Sequence, residues 1–438
     1  MNLRARVETY FEFAALGANW RTEIFAGLST FVTTAYIVLV NPSILREAGM
    51  PVGAVTVATC LAAAFGSLLM GLLARYPIAL GPGMGLNAYF TYSVVKGMGV
   101  PWETALGAVF LSGVTFLALT AAGIRQLIVS AIPRGLYAAV ATGIGLFIAL
   151  IGLRNSGIVT ANSSTLVQLG NLREPTTLLA LFGLAVIAGL QARGVRGSIL
   201  IGILLTTLAG AACGLVHLQP QTWTIADVRG TAFHLDIRGA LKLGLLDIVF
   251  AFLFVDLFDN VGTLVAVSQK AGLIGKNGEI PRLKTILFAD ATATVFGSLA
   301  GTSTVVSYIE STAGVVAGGR TGVTSIVTGL LFLLAMAVAP LAAAIPAAAT
   351  APALIIVGSL MMTSAGEIAW NDAAFAIPAF LTILVIPMTF SIANGLAFGF
   401  TAYTLVRIAR GEYRQVNWFV YLLTALFLAR FYYMGKGA

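Results

Sequence analysis

The chain has 438 residues, of which 58% are hydrophobic and 10% charged, with a net charge of +8 and a mean hydropathy of +0.95. A soluble fold of this size carries about 25% charged residues to cover its surface, so the composition excludes one. The positive excess lies in short loops between apolar runs, which ties it to membrane orientation and not to nucleic acid; the two cysteines, Cys60 and Cys213, sit in apolar segments and offer neither a disulfide framework nor a metal site.

Residues 1–23 are polar or mixed, and the apolar run after them is too long for a cleavable signal. Stretches able to cross a hydrocarbon core of about 30 Å follow at roughly 24–45, 53–74, 80–98, 102–122, 134–153, 174–192 and 197–215. A polar connection, 216–243, holds His217, His234 and the run QPQTWTIADVRG. Seven more spans lie at roughly 245–269, 285–300, 302–319, 321–343, 349–364, 373–389 and 391–409. With the N-terminus in the cytoplasm, sixteen basic residues face inward, among them Arg75, Arg125, Arg196, Lys276 and Arg320, and seven face outward. That is the bias of a multi-pass protein of the cell inner (plasma) membrane. The last apolar run, NWFVYLLTALFLARFYY, begins after a basic cluster and either crosses or lies in the interface with its aromatic residues at the headgroups, the second being the expectation.

Seven spans, a connection and seven spans suggest an internal repeat. Phe65-Gly66-Ser67 in the second span matches Phe296-Gly297-Ser298 in the ninth. Each is followed by a break, IALGPGMGLNAYF in the first half and LAGTSTVVSYIES in the second. Ala131-Ile132-Pro133 before the fifth span matches Ala344-Ile345-Pro346 before the twelfth. An odd number of spans per half inverts the second half, and inverted repeats with paired broken helices mark secondary transporters whose site lies at the breaks. Gly81-Pro82-Gly83-Met84-Gly85 cannot sustain a lipid-facing helix at low cost. Non-helical backbone at membrane depth survives only where protein or a water-filled cavity satisfies it. Both breaks are therefore expected to be buried, as short extended segments leading into half-helices. The glycine spacing is not a dinucleotide loop, because no strand–turn–helix unit of a parallel sheet surrounds it.

Ionisable residues inside spans are costly and so are functional candidates. Asp256 and Asp259 lie in the eighth span, on one helical face with Asn260 and Thr263. Glu310 is expected in the half-helix after the second break, and Asn87 in the similar place after the first. Thr30, Thr33, Thr34 and Asn41 form a polar stripe in the opening span. Each also has a plain structural reading: the threonines can bond back to the preceding turn, and Asp259 can serve the exposed backbone of a break. Asp290, nearer the cytoplasmic end of the ninth span, reads as a solvated residue or a gate contact. Carboxyl groups beside two half-helix N-termini oppose an anionic cargo. They suit a neutral planar molecule whose N–H edge meets carboxylates. Desolvation and like-charged neighbours disfavour a carboxylate's charged form, which suits such a group to carry a proton. Glu310 is the expected carrier and Asp256 the main substrate anchor. Tyr89, Phe90 and Tyr308 near the breaks are candidates for covering a flat ring.

The segments NWRTEIFAGLSTFVTTAYIVLVNP, GPGMGLNAYF, FVDLFDNVGTL and VSYIESTAGV resemble those of the nucleobase–cation symporter-2 family, in its AzgA-like branch of adenine, guanine and hypoxanthine permeases. The resemblance runs from Asn19 to about Arg410. It implies an all-α polytopic protein of fourteen transmembrane helices in two inverted seven-helix repeats, with the third and tenth helices broken by short strands. It divides the chain into a cytoplasmic segment (1–23), core-domain parts 24–122 and 244–343, gate-domain parts 123–215 and 344–410, an extracytoplasmic connection (216–243) and an unmatched C-terminal apolar segment (411–438). It implies import of a purine nucleobase with protons through a site between the two domains, and a homodimer formed by the gate domain. The family's essential polar positions fall on Asn87, Asp256, Asp259 and Glu310. Thr34 of the stripe and Gly85 of the first break complete the expected substrate-binding set, with Glu310 and Asp256 coupling protons and no metal or cofactor.

Two other transporter readings stay open: uracil or xanthine as cargo, or a small anion. An anion carrier would place a basic or neutral residue where Asp256 and Glu310 stand. An intramembrane aspartyl enzyme would need two carboxyls from separate elements sharing a proton. Asp256 and Asp259 lie one turn apart on one helix, so the chain reads as a transporter and not an enzyme.

Overall fold

Apolar runs separated by charged loops fold here into a mostly helical, multi-pass membrane protein. A computed structural model describes residues 3–124, 128, 131–216, 225–242, 246–275 and 280–434. His217, Arg125 and Lys276, singled out above, lie outside them. Among the described residues, nine helices are long and apolar enough to cross a membrane.

The N-terminal helix α1 (Leu3–Tyr10) and the turn after it are fastened to later elements. Tyr10 donates its hydroxyl to Leu72 O at 2.6 Å, and Glu12 pairs with Arg75 at 3.3 Å and with Arg282. The first crossing helix starts at Asn19, whose side chain accepts the Thr22 N–H at 2.9 Å and so supplies a bond the first turn lacks. It comes in two pieces, α2 (Trp20–Thr34) and α3 (Ile37–Arg46). Thr33 and Thr34 both turn their hydroxyls onto Thr30 O at 2.8 Å, a back-bond that bends helices. Pro42 then brings no N–H to the following turn.

Helix α4 (Val52–Leu69) continues to Ala74 as a π-helical turn. Strand β1 (Leu80–Pro82) leads into α5 (Met84–Ala88), which runs on as a π-helix, Tyr89–Val95, and a last turn, Lys96–Met98. Then come α6 (Trp102–Ala121), α7 (Arg134–Asn155), α8 (Pro175–Ala192) and α9 (Ser198–Ala212). Between α7 and α8 the chain forms a hairpin, β2 (Val159–Asn162) with β3 (Leu166–Leu169). Asn162 Oδ1 accepts the N–H groups of Ser164 (2.8 Å) and Thr165 (3.0 Å), which closes the turn.

The second half begins with α10 (Leu246–Lys270) and α11 (Leu283–Ala300). Strand β4 (Val305–Ser307) leads into the six-residue α12 (Ser311–Val316), followed by α13 (Gly322–Ala335). A 3₁₀ segment, Met336–Ala344, connects to α14 (Ala347–Met361), α15 (Ala373–Met388) and α16 (Ile392–Ala409). Small residues set the close helix crossings, as in other membrane bundles. Where α7 crosses α14, a Cβ on Gly145 would stand 2.8 Å from Gly358 O, and one on Gly358 would stand 2.4 Å from Gly145 O.

The last apolar run forms α17 (Trp418–Met434), which packs antiparallel along α16. Thr424 meets Thr404 at 2.8 Å, Phe427 meets Phe400, Phe431 meets Phe398, and Arg430 donates to Asn394 at 2.9 Å near the far end. This contact buries Val420, Leu423 and Phe427 almost completely. Glu23, the last residue of the segment assigned to the cytoplasm, is fully buried. Its carboxylate accepts from Arg320 N (2.9 Å), Thr321 N (3.2 Å), Thr324 N (3.2 Å) and Thr324 Oγ1 (2.6 Å). An anion at the N-terminus of α13 meets the orphan N–H groups and the positive end of the helix dipole.

Candidate functional site

The two breaks meet. Strands β1 and β4 pair antiparallel, with Leu80 opposite Ser307, Gly81 opposite Val306 and Pro82 opposite Val305. The ladder extends through Tyr308 N to Ala79 O and Gly83 N to Thr304 O, both 2.9 Å. A two-stranded sheet leaves two open edges, and side chains from the flanking helices close them. Ser67 of α4 donates to Leu80 O (3.2 Å) and accepts Leu80 N–H (3.0 Å). Thr294 of α11 does the same for Val305, at 2.8 and 3.3 Å. Ser311 accepts Ala79 N–H at 3.0 Å, Tyr308 donates to Pro82 O at 2.7 Å, and Asn260 accepts Ser307 N–H at 2.8 Å. Non-helical backbone buried in the membrane is thereby satisfied by protein. Gly81 is required at the pairing: a Cβ there would stand 2.7 Å from the Tyr308 hydroxyl.

Both breaks are held by the same interrupted helix. Asn41 of α3 donates to Thr59 Oγ1 (2.7 Å) and Thr302 Oγ1 (2.9 Å), and accepts from Asn87 Nδ2 (2.6 Å). One amide thus joins the opening helix, α4, the second break and the half-helix after the first. Asn87 is fully buried, and its Oδ1 has no hydrogen-bond partner. Five residues earlier, at the interruption itself, Tyr36 donates its hydroxyl to Glu310 Oε1 at 2.5 Å. Thr33 Oγ1 lies 3.4 Å from Glu310 O. Glu310 is not inside a half-helix as expected; it occupies the turn immediately before α12.

The carboxylates on α10 divide between two surroundings. Asp256 is fully buried, and Asn260 Nδ2 donates to its Oδ1 at 2.5 Å and to Asp290 Oδ2 at 2.9 Å. Asp290 is also fully buried; it faces Asn260 and not solvent, which corrects the solvated reading. Asp259, one turn on, stands close enough to Glu310 and Asp290 for their charges to act on it. Thr34 is buried with its hydroxyl on its own helix. Gly85 lies where α5 packs on α7, and a Cβ there would stand 2.5 Å from Ile144 Cγ2. Tyr89 and Phe90 are buried, Tyr89 edge-on to Phe252. Among the described residues no group of His, Cys, Asp and Glu is arranged to hold a metal.

Sequence reasoning missed Tyr36 and undervalued Asn41. A tyrosine in an apolar run reads as a filler at helix contacts. The available signal was its place two residues after a Thr-Thr pair and six before a proline, where a helix is interrupted and its polar groups turn inward.

Comparison with known proteins adds three findings. A family model described as a permease family matches residues 21–398. The chain is 44% identical over 424 residues to the adenine permease AdeP of Escherichia coli, covering 97% of this chain and 95% of that one. It is 45% identical over 441 residues to the guanine/hypoxanthine permease PbuG of Bacillus subtilis, covering 98% and 100%. Among solved structures, the transmembrane domain of the cyanobacterial bicarbonate transporter BicA is similar in fold, with a TM-score of 0.64, 17% identity, and coverage of 86% of this chain and 96% of that one.

Proposed function

Since this chain belongs to the permease family of nucleobase–cation symporter-2 proteins, and is a transporter and not an enzyme, we propose that it imports a purine nucleobase (adenine, guanine or hypoxanthine) together with protons across the cell inner membrane. The observation that carries the reading is Glu310. It is an acid at the junction of two paired breaks, bonded by a phenol from a third element, and an ionisable group at membrane depth is retained for function. A proton on Glu310 neutralises the site for passage, and its release leaves an acceptor for a ring N–H. Asp259 and Asp256 present further acceptors on one face of α10. Asn87, with its unsatisfied Oδ1, offers an acceptor from the opposite break. Thr34 and Gly85, both buried, complete the proposed substrate-binding set.

Fourteen membrane elements in two inverted repeats fit this activity. Two contacts support the repeat: Phe65 and Phe296, matched by sequence, stack with centroids 4.1 Å apart, and Gly145 and Gly358, at equal distance past the matched Ala-Ile-Pro words, face each other. Residues matched by an internal twofold touch only near its axis. On this reading 24–122 and 244–343 form a core domain, 123–215 and 344–410 form a gate domain, and 216–243 connects them outside. The N-terminus is cytoplasmic, alternating access moves core against gate, and two gate domains form a homodimer. The BicA-like fold also suits an anion carrier. Against this, residues 76–95 and 302–319 hold no Lys or Arg, while Glu310 and Asp259 stand beside them.

The test is uptake of radiolabelled adenine, hypoxanthine and guanine into proteoliposomes, with and without an inward proton gradient. Gradient-dependent accumulation of one base, competed by its unlabelled form, is the expected result. No uptake of any purine by vesicles holding folded protein would overturn the reading and turn attention to uracil, xanthine and then small anions.

A further inference from the structure

The acid at the second break does not stand alone, and its partner suggests how proton release reaches the opening helix. Tyr36 is 3% exposed and occupies the gap between α2 and α3, the one place on that helix where the backbone is already interrupted. Its hydroxyl donates to Glu310 at 2.5 Å, and Thr33 of the turn before it contacts Glu310 O. A phenol donates one hydrogen. It gives that hydrogen to the Glu310 carboxylate as a charge-assisted bond; once Glu310 carries a proton the contact is between neutral groups and is roughly half as strong. Groups facing this pair from the surrounding elements are Asp259 on α10, with Asp290 of α11 behind it, and Tyr308 at the end of β4, whose hydroxyl is engaged by Pro82 O. Among the described residues, no Lys or Arg hydrogen-bonds or pairs with Glu310, Asp259 or Tyr308.

We propose that Tyr36 is a positioning residue for proton coupling: it holds the deprotonated Glu310 carboxylate by a charge-assisted hydrogen bond and holds it less tightly once Glu310 is protonated, so that the interruption of the first helix responds to the proton on Glu310. This rests on the reading of Glu310 as proton carrier. A charge-assisted hydrogen bond is roughly twice as strong as a neutral one, a difference on the order of a tenfold change in the proton's equilibrium, or about one pH unit. Tyr36→Phe therefore shifts the external pH of half-maximal uptake by about one unit. The sign follows from the bond removed: without its donor the charged carboxylate is less stable, the proton is held more tightly, and the midpoint moves to higher pH.

The experiment measures the pH profile of purine uptake for the parent, Tyr36→Phe, Glu310→Gln and the double variant. A second substitution keeps the side chain's shape: 3,5-difluorotyrosine at position 36 is a stronger donor and shifts the midpoint the other way. Opposite shifts for the two replacements, both absent in the Glu310→Gln background when binding is measured, are the expected result. Unmoved midpoints for both replacements, in protein that still binds purine, overturn the role of Tyr36 alone. If Glu310→Gln keeps the parent's pH dependence, the assignment of Glu310 itself has failed, whatever Tyr36 does. Should Tyr36→Phe not fold, the fluorinated protein decides: no shift overturns the proposal.

Discussion

The two breaks share a backbone plan and differ in chemistry. Each is a three-residue strand closed by a hydroxyl from the helix before it, Ser67 for Leu80 and Thr294 for Val305, and each continues into a helix. The first break uses glycine and proline to let its partner approach, and its polar hub is neutral: Asn87 on Asn41. The second is built from serine, threonine and valine, and its hub is ionisable: Glu310 on Tyr36, with Asp256, Asn260 and Asp290 behind β4. A neutral amide keeps the same bonds at every pH, whereas a carboxylate gains a donor and loses charge-assisted bonding with its proton. On the proposed reading, positioning falls to the first break and switching to the second.

The sharpest way to break this contrast is Glu310→Gln. It keeps the shape and removes the titration, and proton-driven accumulation is expected to be lost while the protein stays inserted and folded. Accumulation with the parent's pH dependence would show that the switch lies elsewhere. Asp256→Asn comes next: a charge-assisted acceptor becomes a neutral amide, and purine affinity falls about tenfold or more. Unchanged affinity in a binding assay removes Asp256 from the site. On the neutral side, Asn41→Ala strips Thr59, Thr302 and Asn87 of a partner. The expected cost is about 1–3 kcal/mol for each group left unsatisfied, read as a fall in Tm in detergent, with the pH midpoint of uptake unmoved. A moved midpoint would merge the two hubs into one. The smallest effect tests the shared plan: Ser67→Ala and Thr294→Val each orphan one strand residue and destabilise by similar amounts, about 1–3 kcal/mol. A large inequality between them would mean that the two breaks are not equivalent scaffolds.

Much of this arrangement was legible before any coordinates, and the reasons are physical. Hydropathy marks spans because lipid tolerates few charges, so the crossing helices and the candidates Asp256, Asp259 and Glu310 stood out against an apolar background. Gly81-Pro82-Gly83 marked one break by backbone freedom, and the hydroxyl-rich run near Thr302 marked the other. Tyr36 was hidden because a phenol costs little to bury and looks like a hydrophobic filler. Glu23 was hidden because it lies at the edge of a span, where a carboxylate reads as solvated, while its acceptor role depends on Thr321 and Thr324, about 300 residues away in the chain. The hairpin at Val159–Leu169 was passed over because it lies outside any apolar run, although Asn162-Ser163-Ser164 is a turn signal. The place of helix α17 stayed open because a seventeen-residue run with aromatic residues at both ends fits an interface as readily as a crossing; what the sequence could not give is its set of partners on α16.

That last helix has a practical consequence for anyone handling the protein. The N-terminal segment is pinned beside Leu72 and Arg282. The end of α17 lies by Asn394, a few residues from Phe390, which bonds Ser93 near the Lys96–Glu47 pair at the far end of the opening helix. The described chain ends are therefore anchored at different places, one on the π-helical turn after α4 and one at the start of α16, so a tag placed beyond either one probes a different set of contacts.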